Sequence, residues 1–273
     1  MGRARFARRS RRRVHGHDRG ARKRSTIDHT TECAMKILAI DTATEILSVA
    51  FVAFDSAIRV SYDISTGLRH SESLLPTIRW VLERAGCTVA DLDAVACTSG
   101  PGSFTGLRIG MATAKGITAG SRAVLVTIPT LDAYAEPYHG LSRITVPVID
   151  GKKRRFFSSV FVAGRRATAD TDLPPARVVE TIRLAIENEQ TDEGRADSPI
   201  LVVGPHAARF LTVVPESLAK RLLAPRVDVS SALSVAFLAR RSAEAGSFAT
   251  DTTAPVYLRE SEARLPDASR RRM

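Results

Sequence analysis

The sequence predicts an α/β protein of two lobes, each a mixed sheet flanked by helices. Three observations predict it. Three short strands joined by tight turns open the pattern near Lys36, an alternation of helix and strand follows, and the whole order restarts in shorter form at Ile144. Each half opens the same way, with a strand, an aspartate, a turn and a second strand. A chain of 273 residues is long enough for two halves with a core each.

Lys36 to Ile40 is a short apolar strand ending at Asp41, and Thr42-Ala43-Thr44 turns the chain. Leu47 to Phe54 reads as a second strand, and the alternation over Ile58 to Ile64 as a third. Leu74, Leu75, Ile78, Val81, Leu82 and Ala85 recur at helical spacing over Ser71 to Ala85, and Gly86 supplies the stop. Pro76 is placed in the first turn, where proline is tolerated. Ala94 to Thr98 reads as a buried strand. The glycine-rich loop Ser99 to Gly106 leads into a helix ending near Gly120, then a strand over Ala123 to Ile128 and a helix opening at Thr130.

The second half begins with a strand over Ile144 to Ile149, a turn at Asp150-Gly151, and a strand over Phe156 to Val162. A helix over Pro174 to Asn188, a strand over Ile200 to Val203 with Gly204-Pro205 after it, and a helix over Ser230 to Ala245 complete it. Two copies of a meander followed by βα units suggest an actin-like duplication. The lobes are expected over 35–140 and 141–260, with a disordered basic extension at 1–34 and a basic tail at 261–273.

Charge is unevenly spread. The net charge is +11, yet residues 1–34 alone hold eleven Arg or Lys against three Asp or Glu, and Arg270, Arg271 and Arg272 add three more. The segment between is near neutral, which is a body with basic ends rather than a basic groove. Residues 1–34 lack apolar periodicity and are expected to be disordered. They read as an upstream start with Met35 the true beginning, as a basic arm for RNA, or as a targeting peptide, against which Asp18, Asp28 and Glu32 count. No run approaches the roughly 18 apolar residues that span a bilayer. Cys33, Cys87 and Cys97 form no CxxC pair and no metal-ligand spacing, so reduced cytosolic thiols are expected, with Cys97 in packing.

Three stretches could carry chemistry. Asp41-Thr42-Ala43-Thr44 at a strand end suits a phosphate or a hydrated Mg²⁺, or is a turn whose side chains bond its own backbone. Asp150-Gly151-Lys152 is its counterpart in the second half. The run Ser99 to Gly110 follows a strand and opens a helix, so its N–H groups could bind an anion. It is not a P-loop, a GxGxxG fingerprint or a GxSxG elbow. Gly106, Gly110, Ala112, Ala114, Gly116, Ala119 and Gly120 leave that helix rich in small residues, either for close packing on its own sheet or for a subunit interface. His70, alone at a helix start, reads as a polar cap. No HxxxH, HExxH or Cys/His cluster occurs, so no protein-bound catalytic metal is expected.

Five stretches occur in an order that resembles one family. They are Met35 to Thr44; His70-Ser71-Glu72-Ser73-Leu74-Leu75-Pro76; Ser99 to Gly110 with Ala114-Lys115-Gly116; Ile149-Asp150-Gly151-Lys152; and Pro255-Val256-Tyr257-Leu258-Arg259. Together they resemble the TsaB (YeaZ) family, the dimerisation subunits of the bacterial tRNA threonylcarbamoyladenosine machinery, over about 35–259. The resemblance implies the actin-like ASKHA (ribonuclease H-like) fold and a cytoplasmic, non-catalytic scaffold. Its implied partners are a TsaD-type catalytic paralogue, a TsaE-type ATPase, tRNA through the complex, and a second copy when the chain is alone.

The complex modifies N6 of adenosine 37 in tRNAs that read ANN codons. TsaD-type chains carry an HxxxH after the glycine-rich helix and its next strand, whereas Pro129 to Glu136 holds no histidine. The family's second aspartate motif usually reads Asp-Ala-Arg, where Gly151 and Lys152 stand, and Gly204-Pro205-His206-Ala207 replaces an expected glycine pair. The resemblance therefore implies a degenerate nucleotide site of Asp41, Thr42, Thr44, Asp150, Gly151 and Lys152. No cofactor is expected to bind tightly, and ATP, ADP and Mg²⁺ are expected only within the complex. The implied partner interface is Ser71, Leu74, Leu75, Gly106, Ile109, Gly110, Ala112, Thr113, Lys115 and Gly116. A stand-alone small-molecule kinase of the same fold, or a peptidase-like relative, is the alternative function.

Overall fold

The computed structural model describes residues 35–56, 58–65, 67, 69–188, 199–214, 220–225 and 230–259. The expected extension at 1–34, with Cys33, and the tail at 261–273 lie outside them.

Strands Lys36–Asp41 (β1), Ile46–Ala53 (β2) and Arg59–Ser65 (β3) form an antiparallel meander. Ala94–Gly100 (β4) pairs parallel to β1, and Val124–Pro129 (β5) parallel to β4, giving the order β3-β2-β1-β4-β5. Side chains alternate across the sheet. Leu38 and Ile40 face one side, while Ile37 and Ala39 face the other. Helices His70–Ala85 (α1) and Phe104–Ala119 (α2) cover the first side with Leu74, Ile78, Val81, Met111 and Ala114. The helix starts at His70, so Pro76 lies in its second turn rather than its first. The N–H that proline lacks leaves only the carbonyl of solvent-exposed Glu72 without its helical partner, which water can satisfy.

The second sheet repeats the order. Ile144–Asp150 (β6) pairs antiparallel to Phe156–Ser158 (β7) and parallel to Ile200–Val203 (β11). Phe161–Val162 (β8) and Arg165–Arg166 (β9) extend a side branch; Thr171–Leu173 (β10) and Leu222–Leu223 (β12) close the edges, in the order β10-β7-β6-β11-β12. The single strand expected over 156–162 is therefore broken at Ser159 and Val160. Pro175–Asn188 (α4) and Ala207–Leu211 (α5) cover this sheet through Val178, Ile182, Ala207 and Phe210. Two sheets of the same order and the same mix of antiparallel and parallel pairs make the fold an actin-like ASKHA duplication.

Thr130–Ala135 (α3) packs between the halves: its Leu131 and Tyr134 join Ile149 of β6 in a small core. The last helix, Ser231–Glu244 (α6), follows the second half in sequence but buries Ala232, Val235, Ala236 and Ala239 on the far side of the first sheet. The expected second lobe of 141–260 thus gives its final helix to the first. Its small buried stripe matches the alanines of β1, β2 and β4, which leave room for a close approach.

Candidate functional site

The glycine-rich loop and the first aspartate turn lock together. Ser103 N–H donates to the Ala43 carbonyl (2.6 Å), and the Thr42 hydroxyl donates to the Gly106 carbonyl (2.8 Å). A Cβ at Gly106 would overlap the Thr42 carbonyl oxygen, and one at Gly110 the Thr42 hydroxyl, so both glycines permit this approach. Ser103 caps α2 by accepting from Gly106 N–H at 3.2 Å. The Ser103 and Gly106 N–H groups, candidates for an anion, are thereby paired within the protein.

Asp41 is fully buried. Its Oδ1 accepts from Ala43 N–H and the Thr98 hydroxyl, each at 2.9 Å; its Oδ2 accepts from the Ser231 hydroxyl at 2.6 Å and the Tyr134 hydroxyl at 3.2 Å. Thr98, Tyr134 and Ser231 come from β4, α3 and α6, so one carboxylate ties three elements. Burial, and then the Asp41 charge, push the Cys97 thiol up to about 12 and the Tyr134 phenol well above its usual value. Both stay neutral near pH 7, and Cys97 packs in the first core. His70, expected as a cap, is instead buried and donates Nε2–H to the Thr44 carbonyl at 2.6 Å, holding the same turn.

Asp150 ends β6 as Asp41 ends β1. Its Oδ1 accepts from Lys152 N–H at 2.8 Å, and its Oδ2 meets Lys152 Nζ at 3.3 Å and an Arg209 guanidinium nitrogen at 2.5 Å. Burial pushes its carboxyl up, but the Lys152 N–H bond, the Lys152 ammonium and Arg209 outweigh it and hold the group below the usual carboxylate range. Between the two turns lies a cleft of about 410 Å³ lined by Thr44, Glu45, Phe104, Asp150, Phe157 and His206. Glu45 and His206 meet at 2.8 Å and join the halves across it. Asp41 and Thr42 sit behind the cleft wall rather than on it, whereas Thr44, Gly151 and Lys152 line it.

The segment after α6 straps this cleft. Ala249 N–H pairs with the Leu125 carbonyl, and Lys115 Nζ on α2 donates to the Asp251 and Thr253 carbonyls at 2.5 and 2.7 Å. Val256 N–H pairs with the Ser99 carbonyl at 2.7 Å, and the Tyr257 ring lies 4.6 Å from that of Phe104. Arg259 ends in the second half on Asp172 (2.6 Å) and on the Gly151 carbonyl (3.2 Å). Val256, Tyr257, Leu258 and Arg259 thus form part of the cleft lining. This stretch carries part of the family resemblance with no site assigned to it, and nothing local in the sequence marks Asp172, Arg155 or Arg209.

The implied interface residues divide. Leu74, Gly106 and Gly110 are buried, and Lys115 holds the strap. Ile109 and Thr113 are half-buried, while Ser71, Leu75, Ala112 and Gly116 are exposed, Leu75 at 61%. The small-residue helix therefore serves its own sheet on one face and leaves a second face open on α1 and α2. Among the described residues, no group of three or more His, Cys, Asp and Glu is placed to hold a metal ion, and no helix is long and apolar enough to cross a membrane.

Residues 65–265 match the family described as TsaD: tRNA N6-adenosine threonylcarbamoyltransferase, and the chain belongs to this family. The chain spans about half the length of the curated relatives named TsaB that it matches. It is 37% identical over 102 residues to the Escherichia coli tRNA threonylcarbamoyladenosine biosynthesis protein TsaB, a match covering 37% of this chain and 43% of that protein. It is 34% identical over 151 residues to an uncharacterized Mycobacterium tuberculosis protein, covering 52% of this chain and 70% of that one. The structure titled YeaZ from Pseudomonas aeruginosa superposes with a TM-score of 0.65 at 24% identity, over 82% of this chain and all of that one.

Proposed function

We propose that this chain is a cytoplasmic support subunit for threonylcarbamoylation of adenosine 37 in ANN-reading tRNAs. It acts with a TsaD-type catalytic paralogue and a TsaE-type ATPase, and carries no chemistry alone. Family membership and the TsaB name of the E. coli relative support the biosynthetic role. The observation that carries the support role is the state of the two cleft aspartates. All the hydrogen bonds of Asp41 come from protein donors, three of them hydroxyls of Thr98, Tyr134 and Ser231, and Asp150 is paired with Lys152 and Arg209. A Mg²⁺–nucleotide would have to displace those partners, so the residues present do not fit one on this chain alone.

The partner surface in this reading is the open face of α1 and α2, where Leu75, Ala112 and Gly116 allow another helix to come close. Ala112→Trp places a large ring on that face while leaving the buried residues alone. Overpacking a contact costs about 1–3 kcal/mol, or about 5- to 150-fold in affinity. Ala112→Trp should therefore lose co-purification of the catalytic paralogue while still melting cooperatively. Undiminished capture of the paralogue by that variant would place the interface elsewhere.

A further inference from the structure

The second half carries charge at the cleft mouth that a support role does not use. The turn between β6 and β7 reads Gly151-Lys152-Lys153-Arg154-Arg155. Lys152, Lys153 and Arg154 have φ of +60°, +52° and +59°. Three successive left-handed residues, none of them glycine, are disfavoured for L side chains. The turn is held by Gly151 N–H on the Arg155 carbonyl (2.9 Å), Arg155 N–H on the Lys152 carbonyl (3.0 Å) and Lys152 N–H on Asp150 (2.8 Å). The result is three consecutive exposed cationic side chains on one tight turn.

Neighbouring elements add to it. Arg209 of α5 shares Asp150 with Lys152, and Arg155 and Arg259 share Asp172. Four cations thus share two carboxylates, and Lys153 and Arg154 bring two further charges. No large apolar side chain lies within 151–155, whereas a protein interface is built around an apolar centre. Contacts to a phosphate backbone need only placed cations.

We propose that the Lys152-Lys153-Arg154 turn, with Arg209 beside it, is an RNA phosphate-backbone contact. That the RNA is tRNA rests on the function proposed above; the contact itself rests on the turn. The test is fluorescence anisotropy of an unmodified tRNA transcript with the full chain, repeated over a salt series. Lys152→Gln, Lys153→Gln and Arg154→Gln together should weaken binding about 10-fold or more near 0.1 M salt, and lower the slope of log K against log salt by about 2 to 3. A variant with Arg11→Gln, Arg12→Gln and Arg13→Gln removes equal charge elsewhere and should lose less. A second variant, Lys153→Gly with Arg154→Gly, relieves the left-handed backbone and should melt no lower than the parent while still binding RNA more weakly. Affinity within twofold of the parent, or a loss equal to that of the Arg11–13 variant, overturns the proposal. So does normal RNA binding with lost capture of the paralogue, which would make the turn a protein surface. Loss of partner capture in Ala112→Trp with this RNA effect intact bears on the support surface alone.

Discussion

Asp41 and Asp150 close equivalent strands of the two halves, and each accepts an N–H from the residue two places on, at 2.9 and 2.8 Å. Beyond that shared turn they are stabilised by opposite means. Asp41, with no exposed surface, is surrounded by hydroxyls from three other elements. Asp150, 6% exposed, is paired with two cations whose own side chains reach solvent. The duplication preserves the local turn, while the tertiary neighbours decide whether the carboxylate works as an internal tie or as an ion pair at the surface. The two aspartates should therefore fail differently when changed.

The largest effect is expected at Asp41. Asp41→Ala strands four donors in the interior, each buried unpaired polar group costing about 1–3 kcal/mol, and should lower stability by about 3–5 kcal/mol in urea unfolding. A loss under about 1 kcal/mol would mean that the hydroxyls find other partners and the tie is weak. Gly106→Ala comes next, because its Cβ meets the Thr42 carbonyl rather than a flexible side chain. A loss of about 1–3 kcal/mol is expected, seen as a lower urea midpoint with an unchanged slope.

Asp150→Asn should cost about 1 kcal/mol or less near pH 7, since both its cations are exposed. The effect should depend on pH in a set direction. The folded carboxyl lies below its unfolded value of about 3.9, so its stabilisation is complete above that value and is lost as pH falls through the folded one. Parent and variant should differ most between about pH 5 and 7 and converge in acid; a gap that stays constant into acid would exclude the ion pairs as its source. The smallest effect is expected at Lys115→Met, which frees the strap's Asp251 and Thr253 carbonyls. About 1 kcal/mol or less is expected, with faster proteolysis near 250–254 as the more sensitive measurement.

Local pattern carried most of the fold into view. The first meander, α1, α2 and the two aspartate turns follow from apolar spacing and from aspartate at strand ends. Short elements did not: β10 and β12 have three and two residues, too few for alternation to register. Nor does periodicity say which sheet a helix covers, so α6 on the first sheet was invisible until its alanine stripe met the alanines of β1 and β4. The site was legible only in part. Asp41, Thr44, Asp150 and Lys152 stood out, but Thr98, Tyr134, Ser231, Asp172 and Arg209 matter through contacts far along the chain. His70 shows the same gap: a polar residue at a helix start reads as a cap, and only packing reveals that it buries itself on Thr44.

The most direct test of the support role is a reconstituted reaction with threonylcarbamoyl-adenylate and tRNA, the modified nucleoside being quantified by mass spectrometry. The chain alone should give no product, and adding the TsaD-type paralogue and the TsaE-type ATPase should give product in amounts that depend on this chain. Product from the purified chain without any partner would contradict the account.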